Sequence, residues 1–430
     1  MSIYLASARA LRTCGLLALI CAWTPQKSIA RPAADASAHL SRIVIGASTV
    51  LDGKGGVVHN TRIVVEGSAI VALDSKAGPL TYDLRGLTVL PGWIDAHVHI
   101  TWSFDADGKN AGQGGNSQDA AYSAASNAYM TLMAGFTTIQ SIGSPADVPL
   151  RNAIARNLIP GPRILTAIEP IFGPAAAAAT PEELRALVRK QKEAGADLVK
   201  IFASGGMTRG AMTLSPEQLS AACDEARKQG LRTLVHAYRD AVRAAILAGC
   251  TEIEHGLGAT DEDLRLMAER GTYLDPQAGL LLETYLKYKD NYLAAPYYTE
   301  EGFAAMPDLI SAHQEFIRRA AKIPALKIVY GTDSIAGAHG RNAEDFIHRV
   351  RDGGFTPIRA LISANSLAAE AMGMARQIGS IESGLQADII ALDGDPLTDI
   401  TSVRRVVFVM KAGVVYKNIS RTGVNVLPRP

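Results

Sequence analysis

Neither sign of charge dominates this 430-residue chain: 43 basic residues stand against 42 acidic ones, a net charge of +1. It has no run of lysines or arginines and no stripe of aromatics interleaved with basic residues, so the electrostatic footprint of a nucleic-acid binder is missing. Cysteine is scarce, with four residues in all. Cys223 and Cys250 each lack a second cysteine nearby, which excludes a zinc finger. Beyond the first thirty or so residues no apolar run is long enough to span a bilayer. What remains, 48% apolar and 20% charged residues, is the composition of a globular enzyme.

The N-terminus reads as an export signal covering residues 1–30. Arg9 and Arg12 precede a short apolar run from Gly15 to Trp23, and Ser28-Ile29-Ala30 offers small residues for cleavage. Cys21 follows Leu19-Ile20, where a lipoprotein signal wants a small residue, so the expected product is a soluble exported protein, periplasmic or secreted. After cleavage Cys223 and Cys250 remain. Two buried free thiols are the default expectation, with a disulfide between them the alternative.

Two β-rich stretches bracket the chain. Ser41-Arg-Ile-Val-Ile45 and Arg62-Ile-Val-Val-Glu66 are β-branched segments separated by glycine turns. The texture returns at Ala387 to Leu392, Val403 to Met410 and Val414 to Tyr416. Residues 41–90 and 380–422 are therefore expected to build one small β-sandwich domain from both chain ends. Between them, in residues 91–379, short apolar strands alternate with helices. Thr180-Pro-Glu-Glu183, Ser215-Pro-Glu-Gln218 and Thr260-Asp-Glu-Asp263 are helix starts with a capping residue and a side chain reaching back. Glycines at 195, 230, 249 and 271 end helices, each followed by a strand. Counting the strand through His97 and a last one at Lys327 to Asp333 gives eight strand–helix units, which argues for an α/β fold of the (β/α)8 TIM-barrel type. Active sites of such barrels lie at the C-terminal strand ends.

That end collects unusual residues. In Leu90-Pro-Gly-Trp-Ile-Asp-Ala-His-Val-His99 the two histidines are two positions apart, so they face the same side of a strand. Two imidazoles together suit a metal such as zinc. Lys200 lies on the expected fourth strand, His236 ends the fifth, His255 the sixth and Asp333 the eighth. Each alone reads equally well as a structural residue; six converging on one mouth do not.

With these motifs the chain resembles the metal-dependent amidohydrolase superfamily. The matching stretches are Pro91-Gly-Trp-Ile-Asp-Ala-His-Val-His99, Lys200, His236, Ile253-Glu-His-Gly256, Gly331-Thr-Asp333 and the tail Ile378-Gly-Ser-Ile-Glu-Ser-Gly-Leu-Gln-Ala-Asp-Ile-Ile390. Lys200-Ile-Phe-Ala-Ser-Gly-Gly206 and His339-Gly340 make the imidazolonepropionase-like and Xaa-Pro dipeptidase-like branch the most similar. The resemblance implies two divalent ions, zinc by expectation. His97, His99 and Asp333 would hold one ion, His236 and His255 the other, and Lys200, N-carboxylated by CO2, would bridge them. A hydroxide between the ions would attack an amide carbonyl while Asp333 moves the proton. It further implies cleavage of an N-acyl amino acid or C-terminal dipeptide, with ochratoxin A, which would release L-phenylalanine, the leading candidate. A cyclic-amide hydrolase or an Xaa-Pro dipeptidase is the alternative, and a non-catalytic relative the reading from another class. A homo-oligomer, an octamer by resemblance, is also implied. One motif departs from the family: Thr137-Thr-Ile-Gln-Ser-Ile-Gly143 has Gln140 and Ser141 where an Arg-Asp pair is common. The Gly- and Asn-rich loop from Thr101 to Asp119 is expected to shape the pocket. Ser141, Arg209, Tyr238, Arg239 and His339 are the expected substrate contacts.

Overall fold

A computed structural model describes residues 42–111, 118–207, 210–295 and 298–419. The expected export segment, residues 1–30, and Arg209 lie outside the described residues. No helix among the described residues is long and apolar enough to cross a membrane.

Strands from both chain ends share one eight-stranded sheet rather than the two sheets of a sandwich. Its order runs Val414–Asn418, Val406–Lys411, Ile389–Leu392, Thr88–Pro91, Arg42–Leu51, Val57–Glu66, Ala69–Leu73, with Tyr82–Asp83 paired to Arg42–Leu51. The joint is Ile389–Leu392, which pairs antiparallel with Thr88–Pro91 on one side and Val406–Lys411 on the other. The sheet buries its own apolar cluster, including Ile45, Ile63, Val89, Ile389 and Phe408. Thr88–Pro91 leads directly into Trp93–Val98, so this sheet delivers the histidine pair to the larger α/β part of the molecule.

There, seven parallel strands alternate with helices. Trp93–Val98, Phe136–Ser141 and Arg163–Thr166 form one sheet; Leu198–Phe202, Arg232–Ala237, Glu252–His255 and Tyr273–Asp275 form another. The helix starts behave as their sequences require. Thr180 Oγ1 accepts the Glu183 N–H at 3.3 Å while the Glu183 carboxylate takes the Thr180 N–H at 2.7 Å. Ser215 with Gln218 and Thr260 with Asp263 form the same reciprocal pair.

The expected eighth strand, Lys327 to Asp333, is not one. It meets its neighbours through isolated bridges, Ile328 with Leu274 and Ser334 with Val98, and Ala96 N–H reaches Tyr330 O at 2.8 Å. The cause is a side-chain contact from the first parallel strand, Trp93–Val98. The buried Asp95 carboxylate takes the Thr332 N–H at 3.0 Å and the Thr332 hydroxyl at 2.7 Å, and Asp333 turns into the left-handed region at φ 51°. Gly331 is required in this crowding, since a Cβ there would lie 1.7 Å from Asp275 Oδ2.

Two further departures come from distant contacts. Helices Leu280–Lys287, Lys289–Leu293, Glu300–Ala304 and Met306–Ala321 stand between Asp275 and Lys327 and build an apolar cluster around Tyr292, Phe303 and Met306. Asp345 holds the start of this insert by accepting the N–H groups of Ala278, Gly279 and Leu280 at 2.8–3.2 Å. Second, Cys223 and Cys250 are not free thiols: they are joined, with Cα atoms 5.2 Å apart. The bridge ties helix Pro216–Lys228 to the start of strand Glu252–His255. Replacing both by serine is expected to cost about 2–4 kcal/mol, because the open chain regains loop entropy. Denaturant unfolding of the Cys223→Ser/Cys250→Ser protein checks this; an unchanged midpoint contradicts it.

Candidate functional site

The strand ends do gather the predicted groups. A cavity of about 480 Å³ is lined by His97, His99, Lys200, His236, His255 and Asp333 at its floor. His97 Nε2 and His99 Nε2 approach Asp333 Oδ1 to 3.3 and 3.1 Å. The His236 and His255 rings lie 4.6 Å apart, and His255 lies 5.6 Å from His97. Backbone strain marks the same place: His255 (φ 66°), Gln277 (φ 49°) and Asp333 (φ 51°) are all left-handed without being glycine.

Neighbours fix the imidazole orientations. His97 Nδ1 donates to Glu254 Oε2 at 2.5 Å, which leaves the Nε2 lone pair for the cavity. Gln277 Nε2 donates to the same Glu254 oxygen at 3.1 Å. His236 Nε2 faces the Gly205 carbonyl at 3.2 Å. A carbonyl only accepts, so His236 Nε2 carries the proton and Nδ1 the lone pair. Glu254 and Gln277 escaped the sequence reading. The signal available was Glu252 and Glu254, two acids in one short strand and both fully buried.

Burial pushes the His97 and His255 pKa values well below the ordinary range and His236 down to about 3. Burial alone would raise Asp333, but the histidines around it outweigh that and hold its carboxyl well below the usual range. Burial thus favours the neutral form of the His97, His236 and His255 imidazoles, whose ring nitrogens carry lone pairs. Lys200 Nζ is buried without a hydrogen-bond partner among the described residues, and Asp333 Oδ1 has the two imidazole nitrogens of His97 and His99 against it. The ligand atoms of His97, His99 and Asp333 all lie within 4.8 Å of one another. Neutral nitrogens with free lone pairs, an ionised carboxylate and an orphaned buried polar atom are the donor set a divalent cation fits.

The expected substrate contacts divide. Tyr238 lines the cavity, stacked on His255 at 5.1 Å. Ser141, Arg239 and His339 do not. Ser141 is buried and bonded to Asp147. Arg239 is exposed and lies along Gly210 and Gly258. His339 Nε2 is engaged by the Trp102 carbonyl at 3.2 Å, and burial drops its pKa to about 4, so it is no cation near neutrality. Gln140, in the departing motif, is also internal: its Nε2 donates to Ala96 O at 2.9 Å and its Oε1 accepts from Arg232. The walls are instead apolar and aromatic, with Trp102, Phe202, Met207, Leu282, Tyr285 and Phe303 among them.

The Amidohydrolase family profile matches residues 88–416, most of the chain and all of this site. The chain belongs to the amidohydrolase family. This amidohydrolase is 27% identical to the ochratoxinase of Aspergillus niger over 441 residues, covering 90% of this chain and 89% of that protein. It is 27% identical to the imidazolonepropionase of Sphingopyxis alaskensis over 378 residues, 77% of this chain and 86% of that enzyme. Among solved structures it is similar to a Xaa-Pro dipeptidase with bound methionine in the active site, with a TM-score of 0.78, 29% identity, and coverage of 88% of this chain and all of that one. Family and neighbours together make the chain a metal-dependent amidohydrolase enzyme.

Proposed function

We propose that this amidohydrolase cleaves the amide of an N-acyl amino acid with a bulky, apolar acyl arm, ochratoxin A being the leading candidate and L-phenylalanine the product. The observation that carries the reading is the cavity itself: six polar groups at the floor and apolar walls rising from them. The likeness to ochratoxinase supports the same class. The scaffold is read as a (β/α)8 barrel over residues 91–379, with residues 41–90 and 380–422 forming the smaller domain.

His97, His99 and Asp333 would hold one divalent ion and His236 with His255 a second, zinc by proposal, with Lys200 between them as its Nζ-carbamate. Burial pushes Lys200 toward the neutral amine, the form that adds CO2. When bound, the two ions supply Lewis acidity to the carbonyl and acidity to a water. The chain supplies the rest. Asp333 takes the proton of the attacking water and delivers it to the amide nitrogen as the C–N bond breaks and the new C–O bond forms. The apolar walls exclude other water and hold the acyl arm so that the carbonyl stays over the floor.

Glu254 sets the His97 tautomer. Glu254→Gln keeps the shape but not the charge, and metal affinity is expected to fall about 10- to 100-fold. Chelator competition followed by elemental analysis reads this out; unchanged affinity contradicts the role. For the substrate class, purified enzyme is given N-acyl-phenylalanines and a cyclic imide in parallel. Release of phenylalanine supports the reading. Opening of the cyclic imide alone assigns the enzyme to the cyclic-amide class instead.

A further inference from the structure

The helical insert gives the cavity one polar spot in an otherwise apolar wall. Leu281, Leu282, Phe303, Met306 and Leu309 face the cavity from this side, and Tyr285 and Tyr298 stand among them. The two phenol oxygens are 3.4 Å apart, and either can donate. Two hydroxyls that share one hydrogen bond have one O–H left over. Of the other hydroxyls nearby, that of Tyr292 is committed as a donor. Tyr292 donates to Ala336 O at 2.7 Å and braces the rings of Tyr285 and Tyr298, its neighbours at 4.9 and 5.1 Å. Thr299 Oγ1 accepts the Gly302 N–H at 3.1 Å as a helix cap. No Lys or Arg other than Lys200 lines the cavity among the described residues.

We propose that the Tyr285–Tyr298 pair is a specificity element that donates to an oxygen acceptor carried on the aromatic acyl arm of the substrate. This rests on the amide-hydrolase reading and adds to it. The preferred arm is not merely bulky: it is an aromatic ring system with a carbonyl or phenolic oxygen at its far side. A wholly hydrocarbon arm fills the same wall but leaves the spare O–H facing carbon, where a buried donor without a partner is unfavourable.

The test compares two bicyclic arms of similar size on one amino acid, N-(coumarin-6-carbonyl)-L-phenylalanine, whose lactone carbonyl lies on the ring away from the amide, and N-(2-naphthoyl)-L-phenylalanine. In the wild-type enzyme kcat/KM for the coumarin amide is expected to exceed that for the naphthoyl amide by about three- to tenfold, the value of one neutral hydrogen bond. In the Tyr285→Phe/Tyr298→Phe double variant, which keeps the ring packing, the ratio is expected to fall to about one. A ratio of one or less in the wild type, or a ratio kept in the double variant, overturns the proposal. Because a ratio is read, a general loss of activity through packing does not mimic the result. If neither amide is cleaved, the amide-hydrolase reading fails. The same ratio is then taken from the dissociation constants of the two compounds, measured by calorimetry on wild type and the double variant, and decides the tyrosine pair separately.

Discussion

Lys200→Ala is expected to lose activity by at least about 10³-fold, the scale seen when a whole electrostatic element is removed from an active site. Lys200 is buried at the cavity floor and its Nζ has no hydrogen-bond partner among the described residues. A plain ammonium there would face the site where cations are to bind and would repel them. A carbamate would instead present two oxygens, one toward each ion. On the proposed reading both ions would depend on this bridge, so Lys200→Ala should also lose bound metal. The expectation has a sharper half: acetate or formate, added with zinc, should restore part of the rate in Lys200→Ala by supplying the missing carboxylate. Lys200→Ala with full metal content and near-normal rate, without added carboxylate, contradicts the bridge.

Asp333→Asn is expected to lower kcat by about 10²- to 10⁴-fold, the usual share of a general acid–base group. The amide side chain keeps the shape and an oxygen for a ligand but cannot accept and return a proton. Asp333 is held ionised by the histidines around it, so the wild-type carboxylate is ready to accept across the neutral range. Amide nitrogen leaves poorly unless protonated, so substrates with better leaving groups should be less affected. An activated ester of the same acyl group should therefore lose much less on Asp333→Asn than the amide does. Equal losses for ester and amide would show that Asp333 acts as a ligand and not as a proton carrier.

The positions of His97, His99, Lys200, His236 and His255 were legible because each lies on or just past a strand with a simple period. The i, i+2 spacing of His97 and His99, the Gly-Thr-Asp of residues 331–333 and the glycine stops before each strand all place side chains without tertiary information. The capped helices were legible for the same reason, their hydrogen bonds being local. What was not legible depends on contacts between distant segments. Asp95 captures Thr332, 237 positions away, and takes the expected eighth strand off its ladder. Cys223 and Cys250 had no spacing signature, and only the fold brings them together. Two of the expected contacts are held away from the cavity by burial and backbone. His339 is claimed by the Trp102 carbonyl, and the left-handed Arg239 lies along two glycines. The polar lining of the insert was not legible either, because it is carried on tyrosines, which sequence alone cannot tell from core.

Central to the proposed function is a metal-dependent site that His97, His99, Lys200, His236, His255 and Asp333 would build. Its most direct test is elemental analysis of the purified enzyme before and after dialysis against a strong chelator, with amide hydrolysis followed in parallel. About two divalent ions per chain are predicted, as a two-metal site requires. Activity should fall with the metal content and return when zinc is added back. An enzyme that carries no bound metal, or that keeps its full rate after the metal is stripped, would contradict the account.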